Sequence, residues 1–422
     1  MSHTPETNLS RRNFLKAAGA AGLMTPLLAP GRALGLDGAL SPNERLQTVL
    51  VGYGNRGRDL LGDSLGNNDF QLVGVCDCFQ RQKEAACARV NDRYKNQDCK
   101  TFDRYEDALD WGDVDVIINA TPDHWHTKIT IEACRAGKDV YCEKPLTLTP
   151  IESRQIVKAA RQYNRIVTGG SQRVMEDYGY MAPVVQSGAI GEVKEAYASV
   201  GNPPIECWTP AQDPPEGLDW DRWLGQAPWV PYNSWRCSGS YGGGWRVFLE
   251  YGNGFLADWG AHKFAGVLYI VGLDAEEPVW LLPPNCEENP TPGVVAIYKN
   301  GFKLYHARGG HDITLVGSER EFRHGQDRDK IKPLCAVDVR RYQGGCGRIM
   351  QEFGWCVKHR VRPFQDVVYP AAAATLCQLM ALCYRMNRKL QWDAATCSFV
   401  NDPAATRMVS RVQRYPYQIT ME

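Results

Sequence analysis

The sequence lacks an excess of either charge, because 48 lysines and arginines balance 48 aspartates and glutamates. A balanced chain has no net field that attracts nucleic acid or an anionic membrane. It also lacks a long apolar run, since the apolar stretch near the N-terminus, residues 17–29, is short and rich in alanine and glycine. These absences argue against a nucleic-acid-binding protein, and 44% apolar with 23% charged residues is typical of a globular chain.

No two of the fifteen cysteines have C-x-x-C spacing, which argues against a structural zinc site. Their number is odd, and several lie inside apolar runs such as VGVCDCF. A secreted disulfide scaffold is small and evenly paired, so this pattern does not fit one. We therefore expect free thiols in a protein that folds in a reducing compartment.

Short β-rich runs alternate with helical periods between Leu46 and Gly170. Helix-like stretches cover residues 103–110, 127–136 and 150–163. The predicted strands are LQTVLVGYG, FQLVGVCD, VDVIINATP, KDVYCEKP and NRIVTGG. This alternation predicts a parallel sheet that is covered by helices on both faces.

The pattern changes after about Gly170. The runs typical of antiparallel strands are VKEAYASV, GVVAIYKNG, FKLYHAR and HDITLVGSE, and two helices are expected over residues 346–358 and 369–387. We predict an α/β protein with three parts: a signal and linker over residues 1–40, a doubly wound parallel sheet over 41–170, and an α+β domain with an open, largely antiparallel sheet over 171–422.

A glycine-rich loop follows the first predicted strand. Gly52, Gly54 and Gly57 form G-x-G-x-x-G in VGYGNRG, ahead of a predicted helix, and Asp77 lies 20 residues later at the end of the next strand. This context is the fingerprint of a Rossmann dinucleotide-binding fold. The first glycine permits the tight turn, the second lets pyrophosphate approach, and the third lets the helix pack closely. Free N–H groups at the helix N-terminus favour phosphate.

Asp77 is expected to accept hydrogen bonds from ribose hydroxyls and to repel a 2′-phosphate. It therefore favours NAD, while Arg81 nearby leaves NADP open. We also expect the residues between the glycines, Tyr53, Asn55 and Arg56, to contact the cofactor.

Two further clusters are candidates for catalysis. In CEKP, Glu143 and Lys144 lie at the end of the fifth strand, the edge where doubly wound sheets bind ligands. In LADWGAHKF, Asp258 and His262 are four residues apart and share one face of a helix, as a general base and its carboxylate do. Taken alone, the first could be a surface lysine, and the second a capping aspartate with a core histidine.

The segment TPDHWH raises the question of a metal site. His124 and His126, at i and i+2, would point the same way on a strand. No third ligand follows at a suitable spacing, so we predict no metal.

The order of G-x-G-x-x-G, TPDHWH, EKP, GSQR and D-x-x-x-H resembles the Gfo/Idh/MocA family of oxidoreductases. The resemblance covers nearly everything after the predicted signal. It implies a Rossmann domain followed by an α/β domain whose open sheet often makes the oligomer contact, hence a homodimer or homotetramer. It also implies oxidation or reduction of sugars, cyclitols and related polyols.

The resemblance assigns roles by position. Lys144 matches the lysine that contacts the nicotinamide region and the reacting hydroxyl, His262 the general acid/base, and Asp258 the carboxylate that helps hold the substrate. Four residues match positions near the cofactor: Thr121, Pro122, His126 and Gln172. Relatives often carry an aspartate that can contribute to substrate contacts where this chain has Ala265, so the resemblance does not define the substrate.

Six of the twelve tryptophans lie between Trp208 and Trp245. Aromatic platforms suit the apolar faces of sugar rings, but Trp, Tyr and Arg are also enriched at subunit interfaces. Both interpretations of this segment remain open at the level of sequence.

The N-terminal segment SRRNFLKAAGAAG resembles a twin-arginine export signal, which is read by machinery that moves folded proteins. An exported dehydrogenase, periplasmic or otherwise outside the cytoplasm, must carry a tightly bound cofactor that each turnover restores. Net sugar oxidoreduction and glycoside cleavage by transient oxidation both satisfy this condition. For the second, Tyr178, Tyr241 and His311 are possible bases. A non-catalytic sugar-binding protein with a structural nucleotide is the third alternative.

Overall fold

Six parallel strands form the first sheet of the computed structural model, which describes residues 44–307 and 312–421. Their order, β3-β2-β1-β4-β5-β6, is that of a doubly wound dinucleotide-binding sheet. The strands are β1 Leu46–Val51, β2 Phe70–Cys76, β3 Lys100–Phe102, β4 Val116–Asn119, β5 Asp139–Cys142 and β6 Val167–Gly169. The five predicted strands are confirmed. The predicted signal and linker lie outside the described residues.

Helices connect these strands and cover both faces of the sheet. They are α1 Asn55–Leu65, α2 Gln80–Tyr94, α3 Tyr105–Asp110, α4 Asp123–Arg135 and α5 Pro150–Gln162. Every residue of β4 and β5 is buried, as the apolar runs predicted. The N-terminus of α5 is fixed locally: Thr149 accepts a hydrogen bond from the Glu152 backbone N–H, and Pro150 opens the helix.

Eight strands form the second sheet, in the order β12-β11-β7-β10-β9-β8-β13-β14. They are β7 Val193–Ser199, β8 Trp280–Leu282, β9 Val295–Ile297, β10 Lys303–Ala307, β11 Ile313–Gly317, β12 Glu321–Arg323, β13 Leu390–Asp393 and β14 Ser398–Phe399. The largely antiparallel sheet is confirmed, except that β10 pairs in parallel with β7. The β9–β10 hairpin fixes the direction of β10, which enters the sheet beside β7 running the same way.

The remaining helices follow β6 in the chain. They are α6 Arg173–Glu176, α7 Met181–Gln186, α8 Trp220–Leu224, α9 Ser234–Cys237, α10 Gly254–Val271, α11 Ile349–His359, α12 Val368–Met386 and α13 Pro403–Thr406. Helix α10 packs against α12, and a Cβ at Gly260 would lie 2.7 Å from the Cys377 sulfur. This close approach buries most of α10 in the core.

The last part of the chain returns to the first sheet. Ile349 and Phe353 of α11 belong to the same buried cluster as Leu50 and Tyr141. Arg45–Glu422 forms one compact unit.

All fifteen cysteines are free thiols, as expected, and only Cys335 is exposed. Among the described residues, no helix combines the length and apolar character needed to cross a bilayer.

Candidate active site

The glycine loop joins β1 to α1 and leaves room for a ligand. Gly52 has φ +91°, and a Cβ there would lie 2.8 Å from the Ala120 carbonyl oxygen. A Cβ at Gly57 would lie 2.1 Å from the Gly52 carbonyl oxygen, so only glycine lets α1 approach this closely. A Cβ at Gly54 would meet no atom within 4 Å, and Gly54 lines a cavity. The loop and the uncapped N-terminus of α1 therefore form a cradle suited to phosphate.

Asp77 follows β2 and lines the same cavity. Its carboxylate accepts hydrogen bonds from the backbone N–H groups of Tyr53, at 2.8 Å, and Phe79, at 2.9 Å. Burial raises the pKa of Asp77, and these two donors oppose that shift. Arg81 stacks over the Phe79 ring at 4.2 Å. The structure thus places Asp77 where the fingerprint predicts and ties it to the glycine loop.

The cavity has a volume of about 550 Å³ and lies at the carboxyl edge of the first sheet; we call it the nucleotide cavity. Its other wall comes from residues 218–246. The Asn55 side chain donates to the Gly239 carbonyl oxygen at 3.1 Å, and the Tyr241 hydroxyl donates to Asp59 at 3.2 Å. These bonds hold the tryptophan-rich segment against the glycine loop.

The six tryptophans of that segment fall into two groups. Trp220, Trp223 and Trp245 are buried in a small core with Tyr251. The other three are exposed: Trp208, Trp229 and Trp235. Trp223 and Trp245 line the nucleotide cavity, and Trp220 stacks on Trp223. Neither sequence interpretation included this structural role.

The predicted catalytic residues come together from distant parts of the chain. Lys144 Nζ lies 2.6 Å from Asp258 Oδ1 and 3.0 Å from the Asp258 carbonyl oxygen. Arg246 Nε lies 3.6 Å from the same carboxylate oxygen. Asp258 and His262 lie on α10 as predicted, and Lys144 follows β5, where the Lys144–Pro145 peptide bond is cis. Lys144, Asp258 and Arg246 line the nucleotide cavity, whereas His262 lies one helical turn beyond Asp258.

His262 is buried, and its Nδ1 atom has no hydrogen-bond partner within the described chain. Burial lowers its pKa well below the ordinary value, and the nearby cations Lys144, Arg173 and Arg56 lower it further. The ring is therefore neutral near pH 7, so one nitrogen is available to accept a proton.

Glu143 and Arg56 connect the glycine loop to the lysine. Arg56 Nε donates to Glu143 Oε1 at 2.8 Å, and the Lys144 backbone N–H donates to Glu143 Oε2 at 3.1 Å. The Glu143 carboxylate raises the pKa of Arg56. Both side chains line the nucleotide cavity, and their ion pair fixes the loop relative to Lys144.

The other predicted cofactor residues lie in different surroundings. Thr121 and Pro122 line the nucleotide cavity. His126 is buried behind it, with Nδ1 2.7 Å from the Pro145 carbonyl oxygen and Nε2 2.9 Å from that of Thr121. It joins the loop after β4 to the loop after β5. Gln172 precedes α6, and its Oε1 atom is buried without a partner in the described chain.

The assumption that His124 and His126 lie on a strand is wrong. Both belong to α4, which begins at Asp123 directly after Pro122, so the two rings point in different directions. His124 Nε2 lies 2.9 Å from the Trp223 carbonyl oxygen, to which Trp125 Nε1 also donates at 3.2 Å. Within the described residues, no group of three His, Cys, Asp or Glu side chains could hold a metal.

The sequence interpretation missed Trp259, which lies between Asp258 and His262. Its indole is 37% exposed, and its ring centroid lies 6.1 Å from that of His262. Arg173 and Lys263 lie over the ring at 5.3 and 5.1 Å. The sequence did show an aromatic residue between Asp258 and His262, and this position could have indicated an exposed ring beside the predicted catalytic pair.

The three bases considered for proton abstraction from carbon lie in different places. Tyr178 is buried, and its hydroxyl bonds to Asp312 at 3.1 Å, away from the nucleotide cavity. Tyr241 lines that cavity. His311 lies outside the described residues. Ala265, the position where relatives often carry an aspartate, lies on α10 and is buried in a hydrophobic cluster.

Two family models match the chain in the order of the two sheets. The NAD-binding Rossmann-fold model of the GFO_IDH_MocA oxidoreductase family matches residues 46–171, and its C-terminal alpha/beta-domain model matches residues 205–326. The chain belongs to the Gfo/Idh/MocA family. A model of the twin-arginine translocation signal matches residues 8–25 of this family member.

The curated relatives of this Gfo/Idh/MocA protein match about half of its length and about half of their own. A glycosyl hydrolase family 109 protein of Shewanella sp. (strain W3-18-1) is 30% identical over 215 residues, 46% of each chain. An alpha-N-acetylgalactosaminidase of Shewanella oneidensis is 27% identical over 219 residues, again 46% of each chain.

Solved structures share the fold of this Gfo/Idh/MocA protein over most of the chain. Myo-inositol 2-dehydrogenase from Lactobacillus plantarum has a TM-score of 0.53 and 20% identity, covering 83% of this chain and 100% of its own. A dehydrogenase from Bordetella pertussis in complex with NADH and UDP-GlcNAcA has a TM-score of 0.56 and 17% identity, covering 83% and 99%. At these identities the likeness concerns the fold.

Proposed function

We propose that the protein is a nicotinamide-dependent oxidoreductase that acts on a hydroxyl of a sugar, cyclitol or glycoside. The observation that carries this proposal is the contact between Lys144 and Asp258 beside the glycine cradle, with the neutral His262 on the same helix. Residues 41–170 bind the nucleotide, and residues 171–422 supply Asp258, His262 and the substrate-facing surface.

Oxidation of a hydroxyl removes a proton from oxygen and a hydride from carbon. A bound nicotinamide supplies the hydride acceptor. Lys144 carries three N–H donors, of which two serve Asp258, so one remains for the substrate oxygen. His262 accepts the proton, because its neutral ring has an unprotonated nitrogen. Asp258 holds Lys144 in place and balances its charge.

The cofactor in this proposal is NAD, held tightly and restored within each catalytic cycle. Asp77 disfavours a 2′-phosphate, and the segment held by Asn55 and Tyr241 restricts exchange. The twin-arginine signal supports export of the folded, loaded protein to the periplasm. The open second sheet is the expected contact surface of a homodimer or homotetramer.

The relatives named glycosyl hydrolase family 109 favour a second candidate, glycoside cleavage. Here a hydroxyl is oxidised to a ketone, the neighbouring C–H loses its proton, and the aglycone leaves. Water then adds, and the ketone is reduced back to the hydroxyl. The first step uses the same three residues, so the two candidates differ only in the steps after oxidation.

The test begins with the mature protein purified without added cofactor. We expect denaturation to release NAD, identified by mass spectrometry, at about one molecule per chain. The protein is then incubated with p-nitrophenyl α-N-acetylgalactosaminide, and in parallel with aldoses and ketoses as paired donors and acceptors. Net hydrolysis without nicotinamide consumption identifies the glycosidase, and an oxidised sugar with a reduced acceptor identifies the oxidoreductase.

Lys144→Met should abolish either reaction while the protein retains the nucleotide. The control is Lys158→Met, at an exposed position on α5, which should change neither activity nor nucleotide content. Absence of nucleotide, or full activity of Lys144→Met, contradicts the proposal.

A further inference from the structure

A second cavity of about 750 Å³ lies on the other side of α4 from the nucleotide cavity, and the two share no lining residue. It is bounded by the N-terminus of α5, the C-terminal half of α12 and residues 407–413. The exposed side chains of Ile205 and Val412 line it, so it reaches the surface. Its volume falls in the range of small-molecule sites.

Buried polar atoms without partners line this second cavity. Gln226, 5% exposed, has neither its Nε2 nor its Oε1 atom bonded within the described chain. Gln378, 3% exposed, donates through Nε2 to the Thr147 carbonyl oxygen, but its Oε1 atom has no partner in the described chain. The Oε2 atom of Glu250 also has no partner there. Buried polar groups cost free energy unless a ligand or water satisfies them.

The chemistry of the unpartnered atoms indicates what the cavity binds. His124 also lines the cavity and leaves Nδ1 without a partner, and Nδ1 is an acceptor because Nε2 donates to the Trp223 carbonyl oxygen. Four of the five unpartnered atoms are therefore acceptors and one is a donor, so a complementary ligand must bring several donors. Hydroxyl groups meet this requirement, because each can donate and accept.

The charged side chains that line the second cavity are balanced, so they favour neither an anionic nor a cationic ligand. Three arginines, Arg385, Arg407 and Arg411, are matched by three glutamates, Glu152, Glu206 and Glu250. The partly buried Arg411 already donates to the Leu249 carbonyl oxygen and to the Asn253 side chain. Apolar side chains, among them Pro203, Pro204 and Met408, offer surface for C–H groups.

We propose that the second cavity is a binding site for a neutral polyhydroxylated molecule, a sugar or a cyclitol, distinct from the site of the reaction. Gln226 is the central recognition residue, because both of its amide atoms are available. This inference does not rest on the proposed function, since no residue of the proposed catalytic machinery lines the cavity.

The test is calorimetric titration of the nucleotide-loaded protein with methyl α-D-glucopyranoside, myo-inositol and D-glucuronate. We expect saturable binding of at least one neutral probe and weaker binding of the anion. Gln226→Leu, which keeps the volume and removes both polar atoms, should weaken the neutral probe about tenfold or more. A crystal soaked with that probe should show it against Gln226.

The matched control is Gln365→Leu, another buried glutamine whose Oε1 atom has no partner, which lies outside both cavities. It should leave binding unchanged. Lys144→Met should also bind the probe normally, which separates this site from the catalytic one. No binding of either neutral probe, equal loss in Gln365→Leu, tighter binding of glucuronate, or a soaked crystal with only water in the cavity would each overturn the proposal.

Discussion

Replacing Gly57 with alanine should disturb the nucleotide site through backbone packing alone. The added Cβ would lie 2.1 Å from the Gly52 carbonyl oxygen, a contact that requires the loop and α1 to move apart. Overpacking of this kind costs about 1–3 kcal/mol. For a compact unit as large as Arg45–Glu422, that corresponds to a melting temperature lower by about 1–4 °C. The displaced loop should also lose retained nucleotide.

Two other glycines make this experiment specific. Gly54→Ala adds a Cβ that meets no atom within 4 Å but projects from a residue lining the nucleotide cavity, so it should keep the fold and lose nucleotide. Gly112→Ala, at an open and exposed position, should change neither property. Thermal unfolding and mass spectrometry of the released nucleotide measure both effects. A Gly57→Ala protein with normal melting temperature and nucleotide content would refute the reasoning.

Three further predictions concern the site and its supports. Asp258→Asn should lower turnover at least about tenfold with nucleotide retained, because Lys144 loses its charged partner; steady-state kinetics and nucleotide content check this. Trp259→Ala should raise KM more than Trp259→Phe for whichever glycoside or sugar proves to be turned over, because the exposed ring beside His262 provides stacking area. Burial lowers the pKa of His124 to about 4, below the value of about 6.5 for the unfolded chain. The unfolded chain therefore takes up the proton first as pH falls from about 6.5 to 4, and the free energy of unfolding should fall by about 3 kcal/mol. Urea unfolding of wild type and His124→Gln at pH 7, 5 and 4 tests this, and an equal pH dependence in both would count against it.

The sequence located several site residues correctly because a parallel sheet brings the ends of its strands together. The carboxyl ends of parallel strands lie at one edge of a sheet, so the glycine loop after β1, Asp77 after β2 and Lys144 after β5 had to lie near each other. Asp258 and His262 were placed on a helix because their spacing matches its period.

Other features depend on information that no local pattern contains. The segment TPDHWH has alternating residues that suit a strand, but Pro122 and Asp123 start α4 there. The parallel pairing of β7 with β10 depends on contacts between residues far apart in the chain. The same holds for the return of α11 to the first sheet and for the second cavity, which is assembled from seven separate parts of the chain.

Helix α4 has a further consequence for any attempt to redesign this protein. Its neighbouring residues His124 and Trp125 face different cavities, and both ring nitrogens meet the single carbonyl oxygen of Trp223. A substitution selected to reshape one cavity therefore alters a bond shared with the other. Substitutions at the two positions should therefore have non-additive effects on stability, because both ring nitrogens meet the same carbonyl oxygen.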